Sequence, residues 1–387
     1  MKKILVFLFI IGLIISPVYA EENNNDSSNL IPNANSGLLI EATTGDILYE
    51  KNKDEKVAVA SMTKMVAQII ILEQVEAGKL SWNEKITVSQ NASGMGGSQI
   101  FLETGEVMTV RELMKGITMA SANDATVAMA ERIGGTEANF VRMMNEKVKE
   151  LGLKNTNFVN PTGLDEENHY SSAYDMAMIA KELLSHEEIL EFSSVYEDYL
   201  RVDTPNKFWL VNTNKLVRLY EGADGLKTGF TDNAGYCMAV TAKRNDMRII
   251  AVVLGEQSGK VRNQETTELL DYGFNNYKVD LVKSKDDVVS EIKFDKGDKE
   301  KVGVVPVEDI SMLSKKSEVS RQYDTEVKLN KVSYPINKGD IVGKILVKDN
   351  NKIIREVDLT VVDNVKKINY FKLWLRTLKN ILSGEML

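Results

Sequence analysis

Strand-like runs stand at both ends of a long helix-rich block, and this bracketing most restricts how the chain can fold. Near the front, Gly37-Leu38-Leu39-Ile40-Glu41, a Thr-Thr-Gly-Asp turn and Ile47-Leu48-Tyr49 read as an antiparallel hairpin. Far downstream, Lys227-Thr228-Gly229-Phe230-Thr231 leads into Gly235 to Thr241, a turn at Arg244-Asn245-Asp246, and an apolar strand from Met247 to Leu254. Between them lie helical patterns. One begins near Ser61 and runs to about Ala77, with Gly78 as its stop. Thr109-Val110-Arg111-Glu112 is a capping box for a helix ending near Met119. Ala125 to Ile133, Thr136 to Leu151 and Asp175 to Leu184 are further helices, and residues 261–277 suggest a final one. The pattern predicts an α+β domain over residues 36–277, one antiparallel sheet assembled from both ends with helices packed on it.

From Lys278 to about Asp363 the pattern changes. Short Val/Ile runs at 302–307, 326–329, 341–347 and 356–362 alternate with Lys, Asp and Gly, which predicts a small all-β domain over 278–363. The last stretch, 364–387, is an amphipathic helix. Ile368, Phe371, Trp374, Leu375, Leu378, Ile381 and Leu382 share one face, and Lys372, Arg376 and Lys379 flank it. Such a stripe suits a helix lying in a membrane interface and is too polar to span. The alternative is a helix docked on the protein's own core.

The N-terminus reads as a signal peptide over residues 1–20. Lys2 and Lys3 precede an apolar core from Ile4 to Ile15, and Val18-Tyr19-Ala20 is a small-residue cleavage site. An uncleaved anchor is the other reading, but the apolar core is shorter than the roughly 20 residues a span prefers. Residues 21–35 are polar and read as a flexible leader. Loss of the two lysines would take the net charge from −8 to −10, which argues against a nucleic-acid partner. Export permits disulfides, yet the chain has only Cys237, so stability must come from a hydrophobic core.

Three short motifs carry chemistry. Ser61-Met62-Thr63-Lys64 opens a helix and puts a hydroxyl and an amine on one face. A serine needs a neighbouring base to attack, and a lysine with a lowered pKa can be that base. Ser61 could instead be a plain helix cap. Ser-x-x-Lys is expected by chance roughly once or twice in a chain this long, and a second copy, Ser290-Glu291-Ile292-Lys293, is assigned no function. Ser121-Ala122-Asn123 lies on a loop between helices; Ser81-x-Asn83 and Ser89-x-Asn91 show how weak that triplet is alone. Lys227-Thr228-Gly229 occurs once and opens a core strand. Their joint order and context match the elements of penicillin-binding proteins and related β-lactamases.

With its flanks, Ala58-Val59-Ala60-Ser61-Met62-Thr63-Lys64, Ala120-Ser121-Ala122-Asn123-Asp124-Ala125 and Gly225-Leu226-Lys227-Thr228-Gly229-Phe230-Thr231, the chain resembles the penicillin-sensitive D-Ala-D-Ala carboxypeptidases, the low-molecular-mass penicillin-binding proteins (serine peptidase family S11). Asn160-Pro161-Thr162-Gly163-Leu164 has the same family look, and the β-rich segment and terminal helix resemble that family's second domain and membrane anchor. The resemblance implies a serine β-lactamase/transpeptidase-like fold. It implies Ser61 as nucleophile, Lys64 as base and Ser121 as proton relay. Asn123, Lys227, Thr228, Gly229, Phe230, Thr231 and, more loosely, Arg262 would bind the substrate. That substrate is a peptidoglycan stem peptide ending in D-Ala-D-Ala, and β-lactams would acylate the same serine. No metal or cofactor is implied. The protein would be exported and held peripherally on the outer face of the cytoplasmic membrane.

Other chemistries fit poorly. His169 and His186 stand apart in sequence, and neither His-x-x-x-His, Cys-x-x-Cys, Gly-x-Ser-x-Gly nor a phosphate loop is present. A class A β-lactamase would carry a Glu-x-x-Leu-Asn signature between Asn123 and Lys227, and none is found. That β-lactamase and a non-enzymatic, membrane-associated wall-binding protein on the same fold are the two rival readings, though for the second no motif residue is missing.

Overall fold

A computed structural model describes residues 29–319, 322–350 and 352–383. The expected signal peptide lies outside them. In the first domain, β1 (Ser36–Glu41) and β2 (Ile47–Lys51) form the expected hairpin. A 3-10 turn, Ala60–Thr63, then leads into α1 (Lys64–Glu76). Every residue of α1 from Lys64 to Leu72 is buried, as expected of a helix with no polar stripe. There follow α2 (Val110–Met119), α3 (Asn123–Gly134), α4 (Glu137–Glu150) and α5 (Ala173–Ser185). Thr109 and Glu112 make the full capping box of α2, and Thr136 and Ser172 cap α4 and α5. Past a short hairpin of Glu197–Leu200 with Phe208–Val211 come the three remaining strands of the main sheet, β3 (Ala223–Thr231), β4 (Gly235–Arg244) and β5 (Met247–Glu256). The domain closes with α6 (Gly259–Asn276), capped by Ser258.

The sheet order is β2-β1-β5-β4-β3, all antiparallel. Both faces are covered. Leu38, Ile40, Cys237, Ala239, Ile250 and Val252 point into the core shared with α1 to α5. Leu39, Met238, Val240, Ala251 and Val253 point into a second core with Leu269, Leu270 and Phe274 of α6. Burial on both sides is why these strands read as continuous apolar runs and not as alternating ones.

The second domain holds β6 (Tyr277–Lys283), β7 (Ser290–Lys293), β8 (Lys301–Pro306), β9 (Ile310–Lys315), β10 (Asp324–Leu329), β11 (Gly343–Asp349) and β12 (Lys352–Val361). β6 pairs with β9, and the others form a sheet in the order β7-β8-β12-β11-β10. Its core includes Val302, Val304, Ile345, Val347, Val357 and Leu359. β6, β7 and β9 escape the sequence reading because their apolar residues are few and interspersed with Lys, Asp and Ser. The terminal helix α7 (Tyr370–Ser383) starts at Tyr370, a few residues later than expected.

Two expectations change. The flexible leader was expected to reach residue 35, but from Leu30 the chain is docked: Ile31 and Ala34 are buried, and Glu265 accepts hydrogen bonds from the Asn33 and Ala34 backbone N–H groups. A polar composition hid two apolar anchors. Lys227-Thr228-Gly229 sits in the middle of β3, a separate edge strand, and does not open a strand.

Candidate active site

The 3-10 turn, the α2–α3 loop, the loop at 160–163 and the edge strand β3 meet around Ser61. Ser61 is no helix cap: it lies inside the turn, and no side chain caps α1. Lys64, the first residue of α1, is fully buried, with Nζ 2.9 Å from Ser61 Oγ. Nζ is also 2.6 Å from Asn123 Oδ1 and 2.6 Å from the Thr162 carbonyl. Burial, reinforced by the nearby charge of Lys227, holds the Lys64 ammonium well below the usual lysine range.

Ser121 stands in the left-handed region (φ 61°) between α2 and α3. Its Oγ accepts a 2.8 Å hydrogen bond from Lys227 Nζ, which also donates to the Thr228 carbonyl. Lys227 is buried, and desolvation together with the Arg262 charge lowers its pKa to about 7. Two buried lysines therefore face two serine hydroxyls across one site. Asn123, the first residue of α3, is anchored by donating from Nδ2 to the Gly96 carbonyl. Asp124 beside it accepts from the backbone N–H groups of Ile100 and Leu102 and pins the opposite loop.

On β3, Thr228 Oγ1 donates to Thr213 Oγ1, and Thr231 Oγ1 donates to Asp165. Phe230 is half exposed at the rim and packs against Tyr236. Gly229 matters for closeness: a Cβ there would come 2.9 Å from the Val59 carbonyl and 3.1 Å from Ser61 N, so only glycine lets β3 lie against the serine turn. Arg262, in α6, is buried and donates to Asn263 Oδ1; it borders the site through its charge on Lys227. Ser61, Lys64 and Asn123 are thus in direct contact, Gly229 brings β3 against the turn, Ser121 joins through Lys227, and Arg262 borders Lys227 only through its charge. The second Ser-x-x-Lys falls on β7, where residues three apart point to opposite faces.

In sequence Asn160 to Gly163 reads as a turn with the family look and His169 as a surface or structural residue, with no partner named for either. Asn160 Oδ1 accepts from the Thr162 and Gly163 N–H groups and shapes the loop that brings the Thr162 carbonyl to Lys64. His169 is buried and neutral, its pKa lowered to about 4 by desolvation. Its Nδ1 accepts from Val159 N–H, which leaves Nε2–H to donate to Thr63 Oγ1, and Thr63 in turn donates to the Ala60 carbonyl. The histidine thus braces the serine turn. Asn-Pro-Thr-Gly was the one legible signal of this loop.

Residues 23–258 match the D-alanyl-D-alanine carboxypeptidase family, and residues 277–367 match the C-terminal domain of penicillin-binding protein 5. The chain belongs to the D-alanyl-D-alanine carboxypeptidase family. It is 45% identical over 382 residues to the D-alanyl-D-alanine carboxypeptidase DacF of Bacillus subtilis (strain 168), covering 98% of both chains. Among solved structures, penicillin-binding protein 5 of Haemophilus influenzae superposes with a TM-score of 0.69 at 31% identity, over 87% of this chain and 98% of that one. Penicillin-binding protein D2 of Listeria monocytogenes, in an ampicillin-bound form, matches at 34% identity and a TM-score of 0.57 over 62% of this chain and 98% of that one. The carboxypeptidase is a serine-type enzyme with the β-lactamase-like α+β domain and all-β second domain expected from the sequence.

Proposed function

We propose that this D-Ala-D-Ala carboxypeptidase works through an acyl-Ser61 intermediate with Lys64 as its base. The observation that carries the reading is the set of neighbours around Lys64 Nζ. A neutral amine has one lone pair and two N–H donors. Ser61 Oγ–H can donate to that lone pair, while Asn123 Oδ1 and the Thr162 carbonyl take the two N–H groups. Ser61 Oγ then attacks the carbonyl between the terminal D-alanines as its proton passes to Lys64. Collapse breaks the C–N bond. Ser121, hydrogen-bonded to Lys227, relays the proton held by Lys64 to the departing D-alanine nitrogen, which leaves Lys64 neutral and Ser121 protonated again. Water hydrolyses the ester and restores the Ser61 hydroxyl.

In the same reading Asn123 hydrogen-bonds the substrate amide. Lys227 and Thr228 meet the terminal carboxylate, with Arg262 adding positive potential, and Gly229 and Thr231 keep β3 in place beside the turn. The backbone N–H groups of Ser61 and Phe230 hold the oxyanion, each worth about 3–4 kcal/mol to the transition state. β-Lactams acylate Ser61. The loop's own carboxylates are engaged elsewhere, Asp165 with Thr231 and Glu166 with Asn160, which supports slow release of the lactam over β-lactamase turnover. A brief exposure to penicillin, intact mass with peptide mapping, and an assay of D-alanine from a pentapeptide test this. A Ser61 adduct with D-alanine release is expected. Rapid loss of penicillin with no adduct would indicate a β-lactamase instead, and labelling that survives Ser61→Ala would place the nucleophile elsewhere.

Export and attachment to the outer face of the cytoplasmic membrane belong to the same proposal. Among the described residues no helix is long and apolar enough to cross a membrane. On α7, Tyr370, Phe371, Trp374, Leu375, Leu378 and Leu382 are exposed together, while Arg376 donates to the Asp295 and Gly297 carbonyls. That favours an interfacial helix over one docked on the core. Deleting 366–387 should release the processed protein from membranes; continued association would rule out α7 as the anchor.

A further inference from the structure

We propose a divalent transition-metal site, of zinc type, formed by Glu73, Glu182 and His186 where the C-terminal ends of α1 and α5 meet. One ligand atom from each residue lies within 4.8 Å of the other two. Two ligands sharing a tetrahedral zinc stand about 3.3 Å apart, so small side-chain rotations close the site.

The histidine points to a ligand independently of the carboxylates. His186 is 92% buried, at 8% relative exposure. Its Nδ1 is 2.7 Å from Glu76 Oε1, so that nitrogen carries the proton. Its Nε2 is buried and has no hydrogen-bond partner. A buried imidazole lone pair without a donor is costly, and a carboxylate on the far ring nitrogen is the usual way a metal-binding histidine is oriented. Glu76 would be that carboxylate.

Charge argues the same way. Glu73 and Glu76 occupy the last turn of α1, and Glu182 the last turn of α5. Carboxylates there oppose the negative end of each helix dipole. Lys147 offsets part of this, bonding Glu73 Oε1 at 2.6 Å and Glu150 at 2.8 Å. Among the described residues no lysine or arginine pairs with Glu76 or Glu182. One nitrogen and two carboxylate oxygens suit a borderline cation better than magnesium or calcium. Glu182 and His186 are four apart at a helix end, a ligand spacing masked in sequence because only one of the pair is histidine.

The site lies at the far end of α1 from Lys64 and contributes nothing to the acyl-transfer steps; it clamps the helix that carries the base. The test is equilibrium dialysis of the untagged full chain, purified in detergent, against zinc chloride, with elemental analysis and thermal melting. One saturable equivalent is expected, with a rise of roughly 5 °C in Tm at saturation. His186→Ala and Glu182→Gln should each weaken binding at least about tenfold, and Glu76→Ala by about 10–100-fold. Glu182 is partly exposed, so its variant decides the matter where His186→Ala fails to fold. Absence of a saturable equivalent would overturn the site, as would zinc binding unchanged in Glu182→Gln.

Discussion

Lys64 Nζ lies 2.9 Å from Ser61 Oγ, and every hydrogen-bond partner of that buried nitrogen is a neutral oxygen. No carboxylate bonds it to keep its charge. A base whose proton is so weakly held is what a serine nucleophile needs. Lys64→Arg keeps the length and the donors but stays charged at every working pH. The expected outcome is a fall of about 10²–10⁴-fold in the rate of penicillin acylation, read by stopped-flow, with the thermal midpoint lowered as well. Acylation at the parent rate would remove Lys64 from the role of base.

Lys227 makes a testable contribution to pH-dependent stability. The folded lysine releases its proton at about 7, against 10.5 in an unfolded chain. Between those values the unfolded state binds more protons, so this group makes the protein more stable as pH rises through that window. Lys227→Met removes the contribution. Urea unfolding at pH 7 and pH 9 should show the parent gaining on the variant, by at most about 1.4 kcal/mol per pH unit. The same variant should raise KM for a peptide carboxylate roughly 10–100-fold.

Gly163 holds the 160–163 loop against the serine turn. Its φ is +80°, and a Cβ would stand 1.9 Å from the Ala60 carbonyl oxygen. That carbonyl also accepts from Thr63 Oγ1. Gly163→Ala should displace the turn and slow acylation by roughly 10²-fold, with a lower Tm. An unchanged acylation rate in the folded variant would show that the turn tolerates the shift.

Glu256 and Glu265 form a buried carboxyl pair at the end of β5. Glu265 is held by Asn33 and Ala34, and Glu256 is buried beside it. Burial and the neighbouring Glu265 hold the Glu256 carboxyl up to about 8, against 4.5 when free. Between pH 4.5 and 8 the folded state keeps a proton that the unfolded chain has lost, so stability falls as pH rises there. Glu256→Gln should gain on the parent between pH 5 and pH 8 in urea unfolding. A difference that does not change with pH would mean that Glu256 is ionised throughout.

Much of this was readable in the residues, for physical reasons that differ by element. The capping box at Thr109 and the apolar runs of β4 and β5 are local signals, and local signals survive in sequence. The pairing of β1 with β5 was inferable because strands stood at both ends of the block. The serine–lysine pairs were legible through motif order. What was not legible depends on distant partners. The Thr162 carbonyl at Lys64, the His169 brace under Thr63 and the docking of Ile31 each join segments far apart in the chain. The edge position of β3 was missed because a Gly-rich, polar strand buried against a helical turn has no period of its own.

The strand order has a consequence for how the chain comes into being. β1 is sandwiched between β2 and β5, and β5 arrives roughly two hundred residues later. Until then the first hairpin has one unpaired edge and an apolar face with nothing to cover it. The sheet of the catalytic domain is complete only once β5 has been made. Contacts of such long sequence separation make completion of that sheet the slow part of folding.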